Sequence, residues 1–391
     1  MAVRTLARRF LAVAIAAATM PATADTVSLY ELPAPDGYAV AAATNIAADG
    51  TVVGVVYPDG LVVRWAPSGA PEVLGGGSTF TLDNVTPLIS RNGATIATTG
   101  WFDDGGEAPV AAPEVWSGGT DWTRIDDLVL GNTTVLGVSA NGDVLVGSAE
   151  PAMPPQEGPW PQVPWYRTAE LGQVALAVPA DAFSAQAWAA SDDGHVVAGF
   201  AEPAPDDFTR YGMRWDDGIP GWILDAGSRR VGQAIGCNGD CSVMVGAGVE
   251  NGLGDPRAWR WRAGSGIEYL DVPPGAPTDA VGYAFDASED GAVVVGSYVV
   301  FDSNLGPTNH GFYWTPSAGM QDITQFLAGH GITFGGEDWI EMLVVGVTPD
   351  GGTLLVGGLD ANYQRHRAVV RIERGDAIFA DGFDGAVPRQ R

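Results

Sequence analysis

Short runs of β-branched and other apolar residues recur along the chain, each entered through a tight polar turn. The turn is Asp-Gly or Asn-Gly after a small or polar residue: Ala48-Asp49-Gly50, Arg91-Asn92-Gly93, Ala140-Asn141-Gly142, Asp192-Asp193-Gly194, Cys237-Asn238-Gly239, Glu289-Asp290-Gly291 and Pro349-Asp350-Gly351. Successive turn glycines lie 43, 49, 52, 45, 52 and 60 residues apart, and the runs end at Gly54, Gly100, Gly147, Gly199, Gly246, Gly296 and Gly357. Asp-Gly and Asn-Gly tolerate positive φ at consecutive positions, as tight hairpins require. Runs such as Val293-Val294-Val295 are continuous rather than alternating, which predicts strands buried on both faces.

A second anchor follows each run: a tryptophan closing another short strand, at Trp65, Trp116, Trp165, Trp215, Trp261 and Trp314, with Val370 in the seventh place. A polar turn then leads to one more strand, as in Pro316-Ser317-Ala318-Gly319 before Met320 to Phe326. Each unit therefore holds two hairpins and four strands. Asp322 to Leu327 comes nearest to a helical period. Four-stranded units repeated at this interval describe a β-propeller. A solenoid would have a shorter period, and separate sandwiches would need linkers that the chain lacks. The expected fold is all-β: a seven-bladed β-propeller of four-stranded antiparallel blades. The seventh unit ends at its third strand, Arg367 to Ile372. Val27 to Leu32 runs into proline as Ile267 to Leu270 does, so the N-terminal strand is expected to complete the last blade and close the ring.

The N-terminus adds a targeting signal. Arg4, Arg8 and Arg9 precede an apolar run, Phe10 to Met20, and Ala22-Thr23-Ala24 supplies small residues for signal peptidase. The stretch is too short for a membrane span. The expected division is a secretory signal peptide over 1–24, one propeller domain over 25–373, and a tail over 374–391. Secretion into the medium or the periplasm follows. Export also makes Cys237 and Cys241 readable as a disulfide across one turn, against two reduced thiols as the alternative.

Composition excludes several chemistries. The chain of 391 residues carries 47 acidic and 20 basic residues, every basic one an arginine. Without lysine there is no phosphate-binding loop ending in Gly-Lys, no Schiff-base lysine and no Ser-Lys dyad. The formal charge is −27, and loss of residues 1–24 removes three arginines and no carboxylate, giving −30. Such a surface disfavours nucleic acid and anionic membranes. No membrane insertion is expected, and the chain is expected to be a monomer.

His310-Gly311-Phe312-Tyr313-Trp314 with Gly319-Met320 resembles the bacterial extracellular HAF repeat. Arg257-Ala258-Trp259-Arg260-Trp261 and His366-Arg367-Ala368 are looser copies, and the Asp-Gly turn belongs to the same pattern. The resemblance spans residue 25 to about 373 and is degenerate, since the His-Ala-Phe triplet is never intact. It implies export and a propeller-like fold, with no enzymatic activity attached. The tail, Asp376 to Asp384, resembles a short Ile-Phe-x-Asp-Gly-Phe-acidic ending of secreted proteobacterial proteins, which implies a sorting tag; a disordered end is the alternative.

If both turn types close hairpins on one face, the long irregular loops share the other, where binding residues are expected. That face is acidic and aromatic. Its candidates are Trp101, Asp103, Asp104, Glu107, Trp160, Asp206, Asp207, Tyr211, Asp255 and Asp302, accompanied by Glu150, Glu157, Glu250 and Phe301. Carboxylates beside aromatic platforms suit sugars or cations, and oxygen donors suit calcium; a plain solvated acidic surface is the alternative. No cofactor is required, and calcium is the one ion that the donors suggest. Arg229, Arg230, Arg365 and Arg367 are the nearest basic partners. His195, His310, His330 and His366 show no metal spacing, and there is no Gly-x-Ser-x-Gly elbow or sialidase-type box. The function that follows is non-catalytic binding of an extracellular glycan or protein. Cleavage of an extracellular polymer by paired carboxylates is the alternative, and adhesion within a larger surface assembly is a third.

Overall fold

A computed structural model describes residues 25–76, 86–106, 109–152, 160–205, 207–249, 254–302, 306–335 and 339–374, leaving the side chains of Val40 and Asp302 undescribed. The signal segment, most of the tail, Glu107, Glu157, Asp206 and Glu250 lie outside these residues. One compact unit spans Val27–Ile372.

Five four-stranded antiparallel sheets follow one another in chain order. The first comprises Val40–Ile46, Val52–Tyr57, Leu61–Trp65 and Pro71–Gly75. The second comprises Leu88–Ile89, Ile96–Phe102, Val110–Trp116 and Thr123–Arg124, and the third Thr133–Val138, Leu145–Ala149, Val163–Thr168 and Gly172–Ala175. Ser184–Ala190, Val196–Glu202, Tyr211–Asp216 and Ile219–Trp222 form the fourth; Ala234–Cys237, Val243–Gly246, Trp259–Arg262 and Gly266–Tyr269 form the fifth. The remaining eight strands form one mixed sheet. Val281–Ala287, Val294–Asp302, Gly306–Thr315 and Gly319–Asp322 make one antiparallel ladder; Trp339–Val347, Thr353–Asp360 and Arg365–Glu373 make another, on whose last strand Thr26–Glu31 pairs. A single parallel bridge, Asn309 to Glu341, joins the two ladders.

The first hairpin turn of each unit is closed in one way. An N–H donates to the carbonyl three residues back: Gly50 to Ala47, Gly93 to Ser90, Gly142 to Ser139, Gly194 to Ser191, Cys241 to Asn238, Gly291 to Ser288 and Gly351 to Thr348. The aspartate or asparagine before that residue accepts a further N–H, as from Thr51 to Asp49 at 2.8 Å and from Ala292 to Asp290 at 2.8 Å. In the fifth unit the left-handed position is Cys241, at φ 51°, so the expected Asn238-Gly239 turn is displaced by two residues. Asn238 there replaces the usual serine, its Oδ1 accepting from Val243 N at 2.9 Å.

The glycine ending an apolar run has a steric cause. The first strands of six units carry a β-bulge, which drives the carbonyl before the bulge toward the second strand. A Cβ at Gly54, Gly147, Gly199, Gly246 or Gly296 would lie 1.9, 1.9, 2.0, 2.2 or 1.9 Å from that oxygen. Gly100 and Gly357 fall outside this register: Val344 faces Val356, and in the short second-unit strand Leu88 faces Ala97. The tryptophans keep register with one exception. Trp165 faces Gly147 and not Leu145, which faces Arg167, because the indole fills the space over the glycine.

Second strands are buried in their central residues, as in Val52–Val56 and Leu145–Ala149. The strand expected over Met320 to Phe326 stops at Asp322 and becomes a helix, Ile323–Gly329. Asp322 causes the switch by capping, its Oδ1 accepting from Thr324 N at 2.9 Å and Gln325 N at 3.1 Å. Among the described residues no helix is long and apolar enough to cross a membrane.

Candidate functional site

An antiparallel four-stranded ladder puts its first and last turns at one end and its middle loop at the other. The loop end holds a cavity of about 420 Å³ between the fourth and fifth sheets. Tyr211, Arg229, Arg230, Asp255 and Tyr269 line it with Pro203 and Gly254. Arg230 lies 3.8 Å over the Trp222 ring and pairs with Asp181, and Tyr211 meets Trp222 edge-on at 6.3 Å. Arg229 reaches back 2.7 Å to the buried Asp225. Backbone hydrogen bonding from Arg229 holds the Asp225 carboxyl below its ordinary range, despite burial. Burial, with the charges of Asp225 and Asp255 added, pushes the Tyr269 hydroxyl up to about 12. Burial alone would raise Asp255, but its hydrogen bonds with Arg257, including 2.7 Å from Nη2, hold it below normal. The pocket thus offers two aromatic edges, two fixed guanidinium groups and one ionised carboxylate.

The other candidates are dispersed. Trp101 is half-buried near the loop end of its strand, Asp103 accepts from Gly105 N at 3.0 Å, and Asp104 takes both arms of Arg124 at 2.7 Å. The Arg124 guanidinium holds Asp104 below the ordinary carboxylate range. Asp207 accepts from Thr209 N at 2.9 Å, Trp160 and Phe301 are exposed, and Asp302 ends a strand. Among the described residues, the structure therefore brings together only Tyr211 and Asp255 of the candidates in this pocket, with Arg229 and Arg230. Arg365 lies over the Tyr57 ring at 5.7 Å, and the buried Arg367 donates to the Ala41 carbonyl at 3.1 Å. Among the described residues no group of three His, Cys, Asp or Glu side chains could hold a metal ion. His195 is exposed beside Asp217, whose hydrogen bond raises its pKa.

A second cavity, of about 400 Å³, is lined by the first strands of all the units. The bulged residue of each irregular first strand contributes a side chain there: Thr44, Leu136, Trp188, Ile235, Phe285 and Val345. Asp286 is its one acidic lining residue, and Arg91 holds it at 2.9 Å. These positions were legible in principle. Each bulged residue stands three places before the Ser, Thr, Asn or Ala that opens the turn. They share no residue type, so only the register reveals them.

No family model and no curated protein matches the sequence. Solved structures do match, at low identity. The β-propeller domain of the Trilobed protease from Pyrococcus furiosus, described as having an open velcro topology, is 13% identical with a TM-score of 0.53, over 85% of this chain and 95% of its own. Oligogalacturonate lyase from Vibrio parahaemolyticus is 12% identical with a TM-score of 0.52, over 89% and 97%. A catalytically inactive virginiamycin B lyase from Staphylococcus aureus, with quinupristin, is 11% identical with a TM-score of 0.51, over 88% and 99%. The chain has a β-propeller fold.

Proposed function

We propose that the chain is an exported, non-catalytic propeller of seven blades that binds an extracellular glycan through its irregular loop face. Hydrogen bonds between successive turns support the blade order: Ala48 N to Arg91 O at 2.7 Å, Asn92 N to Ala140 O at 3.0 Å, Asp192 N to Gly239 O at 2.8 Å and Glu289 N to Pro349 O at 2.8 Å. Closure by the N-terminal strand is supported by its pairing with Arg365–Glu373 and by a core that Leu355 and Val369 share with Ile46, Val52 and Trp65. The disulfide between Cys237 and Cys241 supports an oxidising destination. The resemblance to HAF repeats agrees with export.

The observation that carries the binding reading is the Tyr211–Arg229–Arg230–Asp255–Tyr269 pocket. Aromatic edges give a sugar apolar contact, while fixed guanidinium and carboxylate groups satisfy hydroxyl and acidic substituents. The test is retention of residues 25–391 on a panel of extracellular polysaccharides, with and without calcium. Retention on one class, lost in Tyr211→Ala and Arg230→Ala, is the expected result. Product analysis of the retained polymer tests polymer cleavage as the alternative. Absence of retention on every polymer overturns the glycan reading in favour of a protein partner.

A further inference from the structure

We propose that the cavity among the first strands binds a small neutral molecule with an aromatic or alicyclic body and one carbonyl or hydroxyl acceptor. Its volume, about 400 Å³, suits a small molecule. Leu136, Trp188, Ile235, Phe285, Leu343 and Val345 supply its apolar wall. Most of these are bulged residues, aimed inward by an irregularity that costs ladder hydrogen bonds in several strands at once.

The polar end selects the ligand's charge. Arg91 donates through Nη2 to Asp286 and to the Ala287 carbonyl, both at 2.9 Å, while its Nη1 is buried without a hydrogen-bond partner. A neutral ligand meets this charge-matched pair in the cavity wall without stranding a charge. An anionic one would approach the Asp286 carboxylate, and the guanidinium charge is already matched. A second cavity of about 240 Å³ shares Thr44, Thr86, Leu343 and Val345 with the first, and carries Glu341, Arg365 and His366. The two cavities thus share a wall, and the smaller one is lined mainly by apolar atoms.

The test titrates the fluorescent ketone 6-propionyl-2-(dimethylamino)naphthalene into the full chain. The expected result is blue-shifted emission saturating at one probe per chain. Ile235→Trp, which fills the cavity from the fifth unit, and Leu136→Trp, which fills it from the third, should each weaken binding roughly tenfold or more. Neutral 2-acetonaphthone should displace the probe at concentrations roughly tenfold lower than anionic 2-naphthoate. Absence of saturable blue-shifted emission overturns the proposal. So does unchanged binding in either variant whose circular dichroism matches the parent. Should both variants misfold, the displacement series on the parent chain decides: 2-naphthoate competing as well as the ketone overturns it.

Discussion

Arg91 and Asp286 meet at 2.9 Å although 195 residues separate them in the chain. Arg91 comes from the turn of the second unit and Asp286 from the first strand of the sixth. The same carboxylate accepts from Val347 N, in the seventh unit, at 3.0 Å. One ion pair therefore ties three units together across the cavity. Removing one partner leaves the other charge partly buried and unpaired.

Asp286→Ala should destabilise the fold by about 1.5 kcal/mol. The double variant Arg91→Met/Asp286→Asn should recover part of that loss, because no charge is then stranded. Urea denaturation of both variants measures this. Equal stability of Asp286→Ala and the parent would show that the pair contributes no cross-link.

The bulge explains a second set of effects. Gly199→Ala would place a Cβ 2.0 Å from the Gln186 carbonyl oxygen, in backbone that cannot yield without breaking the bulge. A loss of about 3 kcal/mol is expected, against less than about 1 kcal/mol for Gly221→Ala, whose nearest neighbour would be 3.9 Å away. Thermal melting of the two variants side by side tests the claim, which fails if they melt together.

Asp322 sets an acid limit. Burial by itself would raise this carboxyl, but hydrogen bonds from His310, Thr324, Gln325 N and Tyr298 hold it down at about 2, against an ordinary value of 3.8. Tyr298 donates at 3.0 Å. Because the folded value is the lower one, the stabilisation is fully present above about pH 4 and disappears as pH falls toward 2. Asp322→Asn should therefore cost about 2 kcal/mol at pH 6 and almost nothing near pH 2. A penalty that stays constant over that range would contradict the assignment.

The disulfide stands where the other units have their turn glycine. Cys237 and Cys241 have Cα atoms 4.9 Å apart, and Cys241 occupies the left-handed region at φ 51°. Cys237→Ala/Cys241→Ala should lose about 2 kcal/mol for the opened loop plus about 1 kcal/mol for alanine at positive φ. Cys237→Ala/Cys241→Gly should lose only the first part. Chemical denaturation under oxidising conditions separates the two, and equal losses would deny the turn its role.

Much of this architecture is written locally. An Asp-Gly turn with a serine or threonine two places before the acid closes on itself, and the continuous valine runs after it are buried wherever they occur. Four strands per unit, their order and the uniform turn face thus follow from the repeat, since each rests on contacts within a few residues. Some local readings still yielded. Asp322 capped a helix where a strand was expected, Cys241 displaced Gly239 as the turn's left-handed residue, and Trp165 moved two places to cover Gly147.

Tertiary structure decided what the units do to one another. The arginine before one unit's tryptophan lies over the tryptophan of the next, as Arg64 over Trp116 at 4.7 Å, Arg214 over Trp261 at 5.2 Å and Arg260 over Trp314 at 4.5 Å. A delocalised, planar cation suits such stacking, which gives the arginines a role that net charge alone does not reveal. The pocket at Tyr211 and Asp255 needs Arg229, Arg230 and Tyr269 from neighbouring sheets. The inner cavity needs one residue from each bulged strand, unlike in type and dozens of positions apart. Sequence determines the repeating unit because hairpins are short-range. Both sites belong to the tertiary structure because their walls are assembled across units, by packing that no single repeat encodes.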